Sequence, residues 1–538
     1  MMHMQDDFPL ILSTLYDRAV WLYPDREIVS VEADRSLTRT TYGETDDRLR
    51  KLATALGGLG VTKGDAVGTF AWNNRRHHEL YWATANMGFV CHTINIRLFA
   101  DQITYIVNHA GDKVLFVDPD LVPLLAPIAP TLETVETYVV MGESASDALP
   151  GSIAYEDLIA DAEPQGAWPQ LDERSPMMFC YTSGTTGNPK GVAYTQRSTY
   201  LHTISNLANY PMTASDNVLP VVPMFHASAW GYPFMAVTQG AKLTYPGPDL
   251  TPQGLVPLLE SEKVTFSAGV PTVWLGIQMY LEANPDTDLS SIRAFLCGGS
   301  AVPRSLIEWF WTERGIRVIQ GWGMTETNPV ASTAVLKPEM EDWDLQRQLD
   351  FMETAGIPIA GLQVKIVDDI GEELPKDGEA FGELLIRGPW IAAEYYNDPR
   401  SSQSFEDGWL RTGDVCKITP EGYIRITDRA KDVIKSGGEW ISSLDLENTL
   451  MAHLAVAEAT VVGLKHVRWQ ERPVAFVVLR EGSEVSEEQL LSFLEERVAK
   501  WWLPDKIVFI DQIPKTGTGK FDKKVVRDQY ADLLLDES

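Results

Sequence analysis

The stretch YTSGTTGNPKG (residues 181–191) follows the apolar run Met177–Cys180 and decides how the rest of the chain is interpreted. Its three glycines permit a tight backbone that can approach a ligand closely, because they carry no Cβ. Its hydroxyls and exposed N–H groups can surround phosphate oxygens, and Lys190 adds a positive charge. A solvated surface loop is the alternative, since loops favour the same residue types. We interpret the stretch as a loop that handles polyphosphate.

The pattern does not match the P-loop of nucleotide triphosphatases. The signature GxxxxGK[ST] cannot be placed in register on residues 181–191. The later run PKTGTGK (residues 514–520) also fails, because Pro514 stands where the first Gly is required and Phe521 follows Lys520. The phosphate chemistry therefore belongs to another class of nucleotide-dependent enzyme.

Composition narrows the class further. The 538 residues predict several structural units, and 75 acidic against 45 basic residues give a formal charge of −30. Such acidity argues against nucleic acid and anionic membrane surfaces as partners; it fits either a saline habitat or plain solubility. Four cysteines in apolar or Gly-rich runs show no zinc spacing, which favours buried thiols in a reducing compartment.

No targeting or membrane segment is recognisable. The start MMHMQDDFPLIL lacks a basic region followed by a long apolar run, and no stretch approaches the ~18 apolar residues that span a bilayer. We expect a cytoplasmic protein without integral membrane association.

The first two thirds of the chain alternate helical and strand patterns. Thr41–Glu44 is a capping box, and the leucines behind it repeat on one helical face until Gly57 and Gly58. This alternation predicts layered α/β sheets, largely parallel. The expected elements are strands at 67–72, 113–117, 264–268, 294–296 and 316–319, and helices at 78–87 and 303–312.

The sequence pattern changes after Ala355. Short strands at 364–367, 382–387 and 423–427, separated by Gly, Asp and Pro turns, predict an all-β part. A compact α+β unit of about a hundred residues follows. Its expected elements are helices at 444–453 and 486–501 and strands at 459–462, 474–479 and 506–509.

Seven unusual segments occur in a fixed order along the chain. They are YTSGTTGNPKG (181–191), PMFHASAW (223–230), GWGMTET (321–327), FGELLIRGP (381–389), GWLRTGD (408–414), DRAKDVIKSGGEWIS (428–442) and PKTGTGK (514–520). Together they resemble the adenylate-forming family of acyl-CoA synthetases, luciferase and peptide-synthetase adenylation domains. The resemblance spans nearly the whole chain.

The resemblance implies a fold and a reaction. The fold is a large N-terminal domain of layered α/β sheets with a β subdomain (1–428), a hinge (429–433) and a small mobile α+β C-terminal domain (434–538). HASAW, KSGGEWIS and the absence of a carrier domain after Lys520 are similar to medium-chain acyl-CoA and methylmercaptopropionate-CoA ligases. In such enzymes ATP and a carboxylate give acyl-AMP and pyrophosphate, and the CoA thiol then displaces AMP.

The family implies roles for the phosphate and metal ligands. Thr325 would touch the α-phosphate, and Glu326 would bind Mg²⁺ with Thr185, in keeping with the preference of Mg²⁺ for few carboxylates plus phosphate oxygens. A solvated loop charge is the alternative for Glu326. The residues expected around the β- and γ-phosphates are Thr182, Ser183, Gly184, Thr185, Thr186, Gly187 and Lys190.

The nucleoside is expected between three further segments. Asp414, an acceptor-only carboxylate, suits the ribose hydroxyls, and Arg429 would assist at the ribose or phosphate. A salt bridge at a domain edge is the alternative for both. The adenine is expected among Gly298, Gly299, Ser300, Ala301, Gln320, Gly321 and Trp322.

Lys520 is the residue expected to catalyse adenylation. Attack on the α-phosphorus builds negative charge on its oxygens, and an ammonium group aimed at that charge stabilises the transition state. A surface lysine in a flexible tail is the alternative. The family hinge falls at Lys431, where many relatives carry Asp, and CoA would pass Gly437, Gly438 and Trp440.

The acyl pocket is expected around His226, with a packing role as the alternative for this histidine. Trp322 stands where many relatives carry Tyr, so its indole favours short or medium acyl chains. The pocket residues are His226, Trp230, Gly298, Gly299, Trp322 and Pro329.

Three functions remain open from the sequence. The first is an ATP-, Mg²⁺- and CoA-dependent acid–CoA ligase, expected as a homodimer. The second is an aryl-CoA ligase or an adenylation enzyme that loads a carrier protein. The third is a non-catalytic nucleotide-binding scaffold. The presence of Lys520, Glu326 and Asp414 argues against this third function.

Overall fold

The computed structural model divides the chain into two compact units. It describes residues 5, 7–182, 188–210, 212–429, 432–436, 439–515 and 521–535, with only the backbone of 439 and 440. The first unit combines residues 1–363 and 387–410, and the second combines 364–386 and 411–538. The predicted hinge at 429–433 concerns movement and stays a prediction.

The first unit contains two large sheets. Its strands are β1 (Glu27–Val31), β2 (Leu37–Thr41), β3 (Ala66–Phe70), β4 (Val90–Thr93), β5 (Asp112–Val117), β6 (Thr137–Val140), β7 (Ile153–Ala154), β8 (Pro176–Tyr181), β9 (Gly191–Thr195), β10 (Asn217–Pro220), β11 (Lys242–Tyr245), β12 (Phe266–Gly269), β13 (Ala294–Gly298), β14 (Arg317–Gly323), β15 (Val330–Thr333) and β16 (Ile357–Pro358). The seven-stranded sheet has the order β7-β6-β5-β3-β4-β8-β9. The nine-stranded sheet has the order β16-β15-β14-β13-β12-β10-β11-β1-β2.

Both sheets are mainly parallel, with antiparallel strands at their edges. In the nine-stranded sheet β2, β15 and β16 run antiparallel to their neighbours, and in the seven-stranded sheet β9 does. Parallel strands need crossover helices, which cover both faces of a sheet. The predicted layered α/β architecture is therefore confirmed.

The helices form three layers around the two sheets. They are α1 (Leu12–Leu22), α2 (Tyr42–Gly58), α3 (Arg75–Met87), α4 (Ala100–Ala110), α5 (Val122–Leu125), α6 (Tyr155–Ala160), α7 (Gln196–Asn209), α8 (Tyr232–Gln239), α9 (Pro252–Ser261), α10 (Pro271–Ala283), α11 (Arg304–Arg314) and α12 (Leu345–Met352). One apolar core joins the facing sides of the two sheets, and separate cores fill their outer sides with α9–α12 and with α4 and α5.

Helix α3 is buried on nearly every side. Asn74 caps its N-terminus, with a side chain that accepts from the His77 N–H, and Gly88 caps its C-terminus in the left-handed conformation. It contacts β1 of one sheet and β4 and β8 of the other. A helix enclosed in this way must satisfy its polar side chains internally. Glu79, fully buried, accepts from Arg48 Nε at 2.7 Å and from Tyr155 Oη at 2.6 Å.

The second unit holds two smaller sheets. Its elements are β17 (Gln363–Val367), β18 (Phe381–Arg387), β20 (Trp409–Ile418), β21 (Ile424–Arg429), β22 (Ile434–Ser436), β23 (Glu439–Ile441), α13 (Ser443–Met451), β24 (Val456–His466), β25 (Gln470–Leu479), α14 (Glu487–Glu495), β26 (Lys506–Phe509) and α15 (Lys523–Gln529). β20 begins in the first unit, where it pairs with β19 (Phe405–Glu406), and then pairs with β18 and β21. The C-terminal sheet has the order β23-β22-β25-β24, with β26 beside β25.

Most predicted elements are present with shifted ends. The capping box at Thr41 is confirmed, with both of its hydrogen bonds, and the helix includes Gly57 and ends at Gly58. β24 extends well beyond the predicted 459–462. The predicted helix at 486–501 was too long: α14 ends at Glu495, and a separate 3₁₀ turn follows at Lys500–Trp502. In the described part of the chain, no helix is long and apolar enough to cross a membrane.

The buried histidines of α3 predict a pH dependence of stability. Burial lowers the pKa of His77 to about 4 and that of His78 to about 3. The unfolded chain binds protons at these sites below pH ~6.5 and the folded chain does not, so stability is lost as pH falls through this window. His78→Gln should reduce the slope of unfolding free energy against pH by about 1.4 kcal/mol per pH unit between pH 6 and 4.

Urea unfolding followed by tryptophan fluorescence measures this slope. Tyr245→Phe is the matched control, because it removes the hydrogen bond to His78 Nδ1 (2.7 Å) and keeps the titrating ring. Equal slopes for His78→Gln and wild type would contradict the prediction.

Candidate active site

The predicted phosphate loop connects two antiparallel strands. β8 ends at Tyr181 and β9 begins at Gly191, so residues 182–190 form the hairpin connection. Thr182 N–H donates to the Lys190 carbonyl (2.9 Å), and Lys190 N–H donates to Thr182 Oγ1 (3.3 Å). These two bonds fix the ends of the loop and place the half-buried Lys190 beside Thr182. Ser183, Gly184, Thr185, Thr186 and Gly187 lie outside the described residues.

Thr325 and Glu326 lie in a 3₁₀ turn that follows β14. Both are buried, and Glu326 is only 4% exposed. Tyr194 Oη from β9 donates to the Thr325 carbonyl (2.7 Å), so the strand after the phosphate loop holds this turn. The structure therefore places the GMTET turn against strand β9.

Tyr395 connects the two motifs, and sequence reasoning missed it. Its hydroxyl donates to Glu326 Oε1 (2.6 Å), and Lys190 Nζ lies 4.3 Å from the centre of its ring. Burial and the neighbouring Glu326 carboxylate raise the pKa of Tyr395, so the phenol keeps its proton and donates. The only signal in the sequence is the Tyr-Tyr-Asn run at 395–397, which lies in none of the seven motifs.

The predicted adenine segments lie on neighbouring parallel strands. β13 and β14 pair in a register that puts Cys297 beside Gln320 and Gly298 beside Gly321. Gln320 Oε1 accepts from Val302 N–H (3.0 Å), which ties the Gly298–Ala301 turn to β14. A Cβ on Gly298 would lie 2.5 Å from the Gly321 carbonyl oxygen, so only glycine permits this approach.

The predicted acyl-pocket residue His226 precedes a left-handed turn, and Trp230 lies within it. The backbone φ is positive at four successive non-glycine residues, Ala227 to Trp230, and at Gly231. Such conformations cost roughly 1–3 kcal/mol each and persist only where the surroundings impose them. The turn directs the Trp230 indole toward Gly298, where a Cβ would lie 3.3 Å from Trp230 Cη2. Pro329 is buried in the segment after Glu326.

His202 supports the far end of this turn. It is buried, its Nε2 accepts from Val330 N–H (3.2 Å), and burial lowers its pKa to about 3, which keeps the ring neutral. A Cβ on Gly231 would lie 2.8 Å from His202 Cε1. His202, which no motif included, therefore limits residue 231 to glycine.

The predicted ribose ligands lie in the second unit. Asp414 of β20 and Arg429 of β21 are direct cross-strand partners, with Arg429 Nε 3.5 Å from Asp414 Oδ1. The Asp414 side chain is 11% exposed and that of Arg429 is 54% exposed. The structure thus joins the two residues, and this pairing also fits the alternative salt-bridge role.

The residues predicted for the hinge, the CoA channel and adenylation catalysis belong to segments that the structure does not fully describe. Lys431, Gly437, Gly438 and Lys520 lie outside the described residues, as does the side chain of Trp440. Their roles in the hinge, the CoA channel and adenylation stay predictions.

The chain matches two family models. Residues 16–396 match the AMP-binding enzyme family, and residues 445–520 match the AMP-binding enzyme C-terminal domain. The chain therefore belongs to the AMP-binding enzyme family, and the predicted membership of the adenylate-forming enzymes is confirmed.

Full-length relatives support a narrower class. The chain is 44% identical to a 3-methylmercaptopropionyl-CoA ligase of Ruegeria lacuscaerulensis (98% of each chain). It is 43% identical to a medium-chain-fatty-acid–CoA ligase of Ectopseudomonas oleovorans (98% and 97%) and 45% identical to a long-chain-fatty-acid–CoA ligase of Thermus thermophilus (97% and 96%). All three are CoA ligases, which confirms the predicted enzyme class of acyl-CoA synthetases.

A solved structure shares the whole fold. The crystal structure of an anthranilate CoA ligase in complex with anthranoyl-AMP superposes with a TM-score of 0.87 at 26% identity, covering 99% of this chain and 100% of that one. The fold class predicted from the sequence is thus that of a structure solved with an acyl-adenylate.

The His202–Gly231 contact predicts a measurable loss of stability. Gly231→Ala introduces both a Cβ at φ +82° and a clash with the buried His202 ring. Gly60→Ala is the matched control, because Gly60 has the same φ of +82° and no heavy atom within 4 Å of the built Cβ. We expect Gly60→Ala to lower the unfolding free energy by about 1 kcal/mol and Gly231→Ala by about 1–3 kcal/mol more.

Chemical unfolding of both variants measures the difference. Equal destabilisation would contradict the packing role assigned to His202.

Proposed function

We propose that this enzyme is an AMP-forming acid–CoA ligase that activates a short- or medium-chain carboxylate, with 3-methylmercaptopropionate among the candidate acids. A carboxylate oxygen attacks the α-phosphorus of ATP, acyl-AMP forms and pyrophosphate leaves. The CoA thiol then attacks the acyl carbon, the thioester forms and AMP leaves. The observation that carries this proposal is that one side chain, Tyr395, contacts both Lys190, the proposed phosphate ligand, and the buried Glu326 carboxylate.

The same junction fits a magnesium ion bound together with ATP. Glu326 offers one carboxylate, and no group of three or more His, Cys, Asp or Glu within the described ranges could hold a metal ion. Mg²⁺ prefers this arrangement, because it takes one or two carboxylates and completes its shell with phosphate oxygens and water. When bound, Mg²⁺ would neutralise phosphate charge. Thr185 stays the proposed second ligand.

The nucleoside roles follow from the strand pairing. The turn at Gly298–Ala301 and the strand residues Gln320–Trp322 form one continuous edge in the first unit, which supports their proposed role at the adenine. Asp414, with two acceptor oxygens, remains the proposed ligand of the ribose hydroxyls, and its partner Arg429 the proposed second contact. Thr325 keeps its proposed role at the α-phosphate.

Acyl-chain length is proposed from the aromatic side chains. Trp230 reaches Gly298, so its indole restricts the space beside the predicted adenylate site. Trp322 is proposed to restrict this space further. His226 precedes the left-handed turn and is proposed to face the carboxylate end of the acid. The anthranilate ligase, which shares the whole fold, keeps an aryl acid as the second candidate.

Location is proposed from the cysteines, and assembly from the family resemblance. All four cysteines are buried free thiols, which suits a reducing compartment, and we propose the cytoplasm. The homodimer proposed from the family resemblance is tested by light scattering of the full chain.

Lys520→Ala tests the proposed catalytic residue. The variant lacks the ammonium group that would stabilise negative charge on the α-phosphate in the transition state. We therefore expect the rate of acid-dependent ATP–pyrophosphate exchange to fall by a factor of about 10²–10³ or more. Thioester formation from supplied acyl-AMP and CoA should be spared. Lys515→Ala, in the same motif, is the matched control, because Lys515 Nζ pairs with Glu458 (2.6 Å). An equal loss of both half-reactions in Lys520→Ala would contradict the assignment.

A panel of carboxylates tests the proposed substrate class. It comprises propionate to decanoate, palmitate, 3-methylmercaptopropionate, benzoate and anthranilate. Because the indoles shorten the pocket, kcat/KM for hexanoate should exceed that for palmitate by at least about tenfold. CoA-dependent AMP release is the measurement. Preference for palmitate would refute the chain-length proposal, and preference for an aryl acid would favour the second candidate.

A further inference from the structure

Residues 392–400, which we name the clasp, contact both motifs of the proposed active site. Ala392 N–H donates to the Glu326 carbonyl (2.8 Å), and Tyr395 Oη donates to the Glu326 carboxylate. Tyr396 N–H donates to the Gly191 carbonyl (2.8 Å), the residue after the phosphate loop. The clasp, the phosphate hairpin and the GMTET turn all belong to the first unit.

Arg400, at the other end of the clasp, binds the backbone near Lys190. Its guanidinium donates to the Asn188 carbonyl within the phosphate loop (3.3 Å from both Nη atoms). Asp398 orients it, with Oδ1 2.8 Å from Arg400 Nε, and the pair lowers the pKa of Asp398 to about 2. The clasp therefore contacts the chain at two points, Asn188 and Gly191, on either side of Lys190.

Tyr395 stands between two groups of opposite charge. Its hydroxyl contacts the Glu326 carboxylate while its ring face contacts the Lys190 ammonium group, so one rigid side chain meets both. The phenol ring has only two side-chain torsions, and it is 5% exposed. The two contacts reinforce each other, because a cation over the ring makes the hydroxyl a stronger donor and a carboxylate that accepts from the hydroxyl makes the ring face more electron-rich.

We propose that Tyr395 is a positioning residue that holds Glu326 ready for the metal and Lys190 ready for the phosphates, and that Arg400 aligns the loop with them. The proposal rests on the proposed function. Without the hydroxyl, the carboxylate loses a fixed donor and rotates. Without the ring, the ammonium and carboxylate lose the group between them and can pair with each other, which removes both from the substrate.

Three variants separate these roles. Tyr395→Phe keeps the ring and loses the hydroxyl, so Mn²⁺ binding should weaken about tenfold while ATP binding without metal stays unchanged. Tyr395→Leu loses both contacts, so it should weaken both Mn²⁺ binding and ATP binding without metal. Arg400→Gln should weaken ATP binding about threefold to tenfold and leave the metal dependence unchanged.

The readouts include binding as well as turnover. Mn²⁺ is titrated by electron paramagnetic resonance into the full chain saturated with α,β-methylene-ATP, and the analogue alone is titrated by calorimetry. Acid-dependent ATP–pyrophosphate exchange is measured against free Mg²⁺. Conversion of supplied acyl-AMP and CoA, which needs neither metal nor phosphate chain, should keep its wild-type rate.

Tyr155→Phe is the matched control. It also removes a buried tyrosine–glutamate hydrogen bond of 2.6 Å, but at Glu79 on α3. It should lower the unfolding temperature and leave Mn²⁺ affinity unchanged.

The outcomes separate this inference from the proposed function. Unchanged Mn²⁺ affinity in Tyr395→Phe, or equal losses in both half-reactions, would overturn the positioning role. Weakened Mn²⁺ binding in a protein that performs no exchange with any acid would support the positioning role and refute the acid ligase. If Tyr395→Leu fails to fold, Tyr395→Phe and Arg400→Gln still decide the question.

Discussion

Glu326 is a carboxylate held almost out of water, and the surroundings of the proposed active site have to offset the cost of that burial. A buried charge is tolerated only when donors or cations replace its lost hydration. Tyr395 supplies a short hydrogen bond to it, while Tyr194 and Ala392 bind the backbone carbonyls of its turn. The motif residues are therefore placed by groups that belong to no motif.

The two sheets explain why these segments meet. Parallel strands end at the same edge, so the turn after β13 and the continuation of β14 lie side by side. A hydrogen bond from the Val302 backbone N–H to the Gln320 side chain joins them. The hairpin β8–β9 reaches the same region from the other sheet, through Tyr194 to Thr325. The core between the sheets, with α3 enclosed in it, fixes the distance between the two contributions.

Sequence patterns correctly predicted the features that local interactions determine. The capping box at Thr41 and the strand Lys506–Phe509 were predicted correctly, because near neighbours in the sequence determine them. The fold class followed from the alternation of helices and strands, and the family followed from seven motifs. The helix at 486–501 was predicted too long, since its apolar spacing continues through residues that form a 3₁₀ turn.

What could not be predicted depends on distant contacts. Tyr395 acts on a residue 69 positions earlier in the chain, and no spacing rule reaches that far. The left-handed run Ala227–Trp230 contradicts the conformational preference of each of its residues, so it depends on packing against distant parts of the chain, among them Met178, His202 and Gly298.

The first unit is made of two stretches separated by residues 364–386, and its second stretch ends at Leu410. During synthesis a chain folds from its N-terminus, so both sheets of this unit emerge before Tyr395 and Arg400 exist. Glu326 and the phosphate loop then stand without these partners until Arg400 of the 538-residue chain has been made. The contacts that place Glu326 and Lys190 therefore form late on the nascent polypeptide, and the largest core is completed with them, because Tyr395 is one of its buried members.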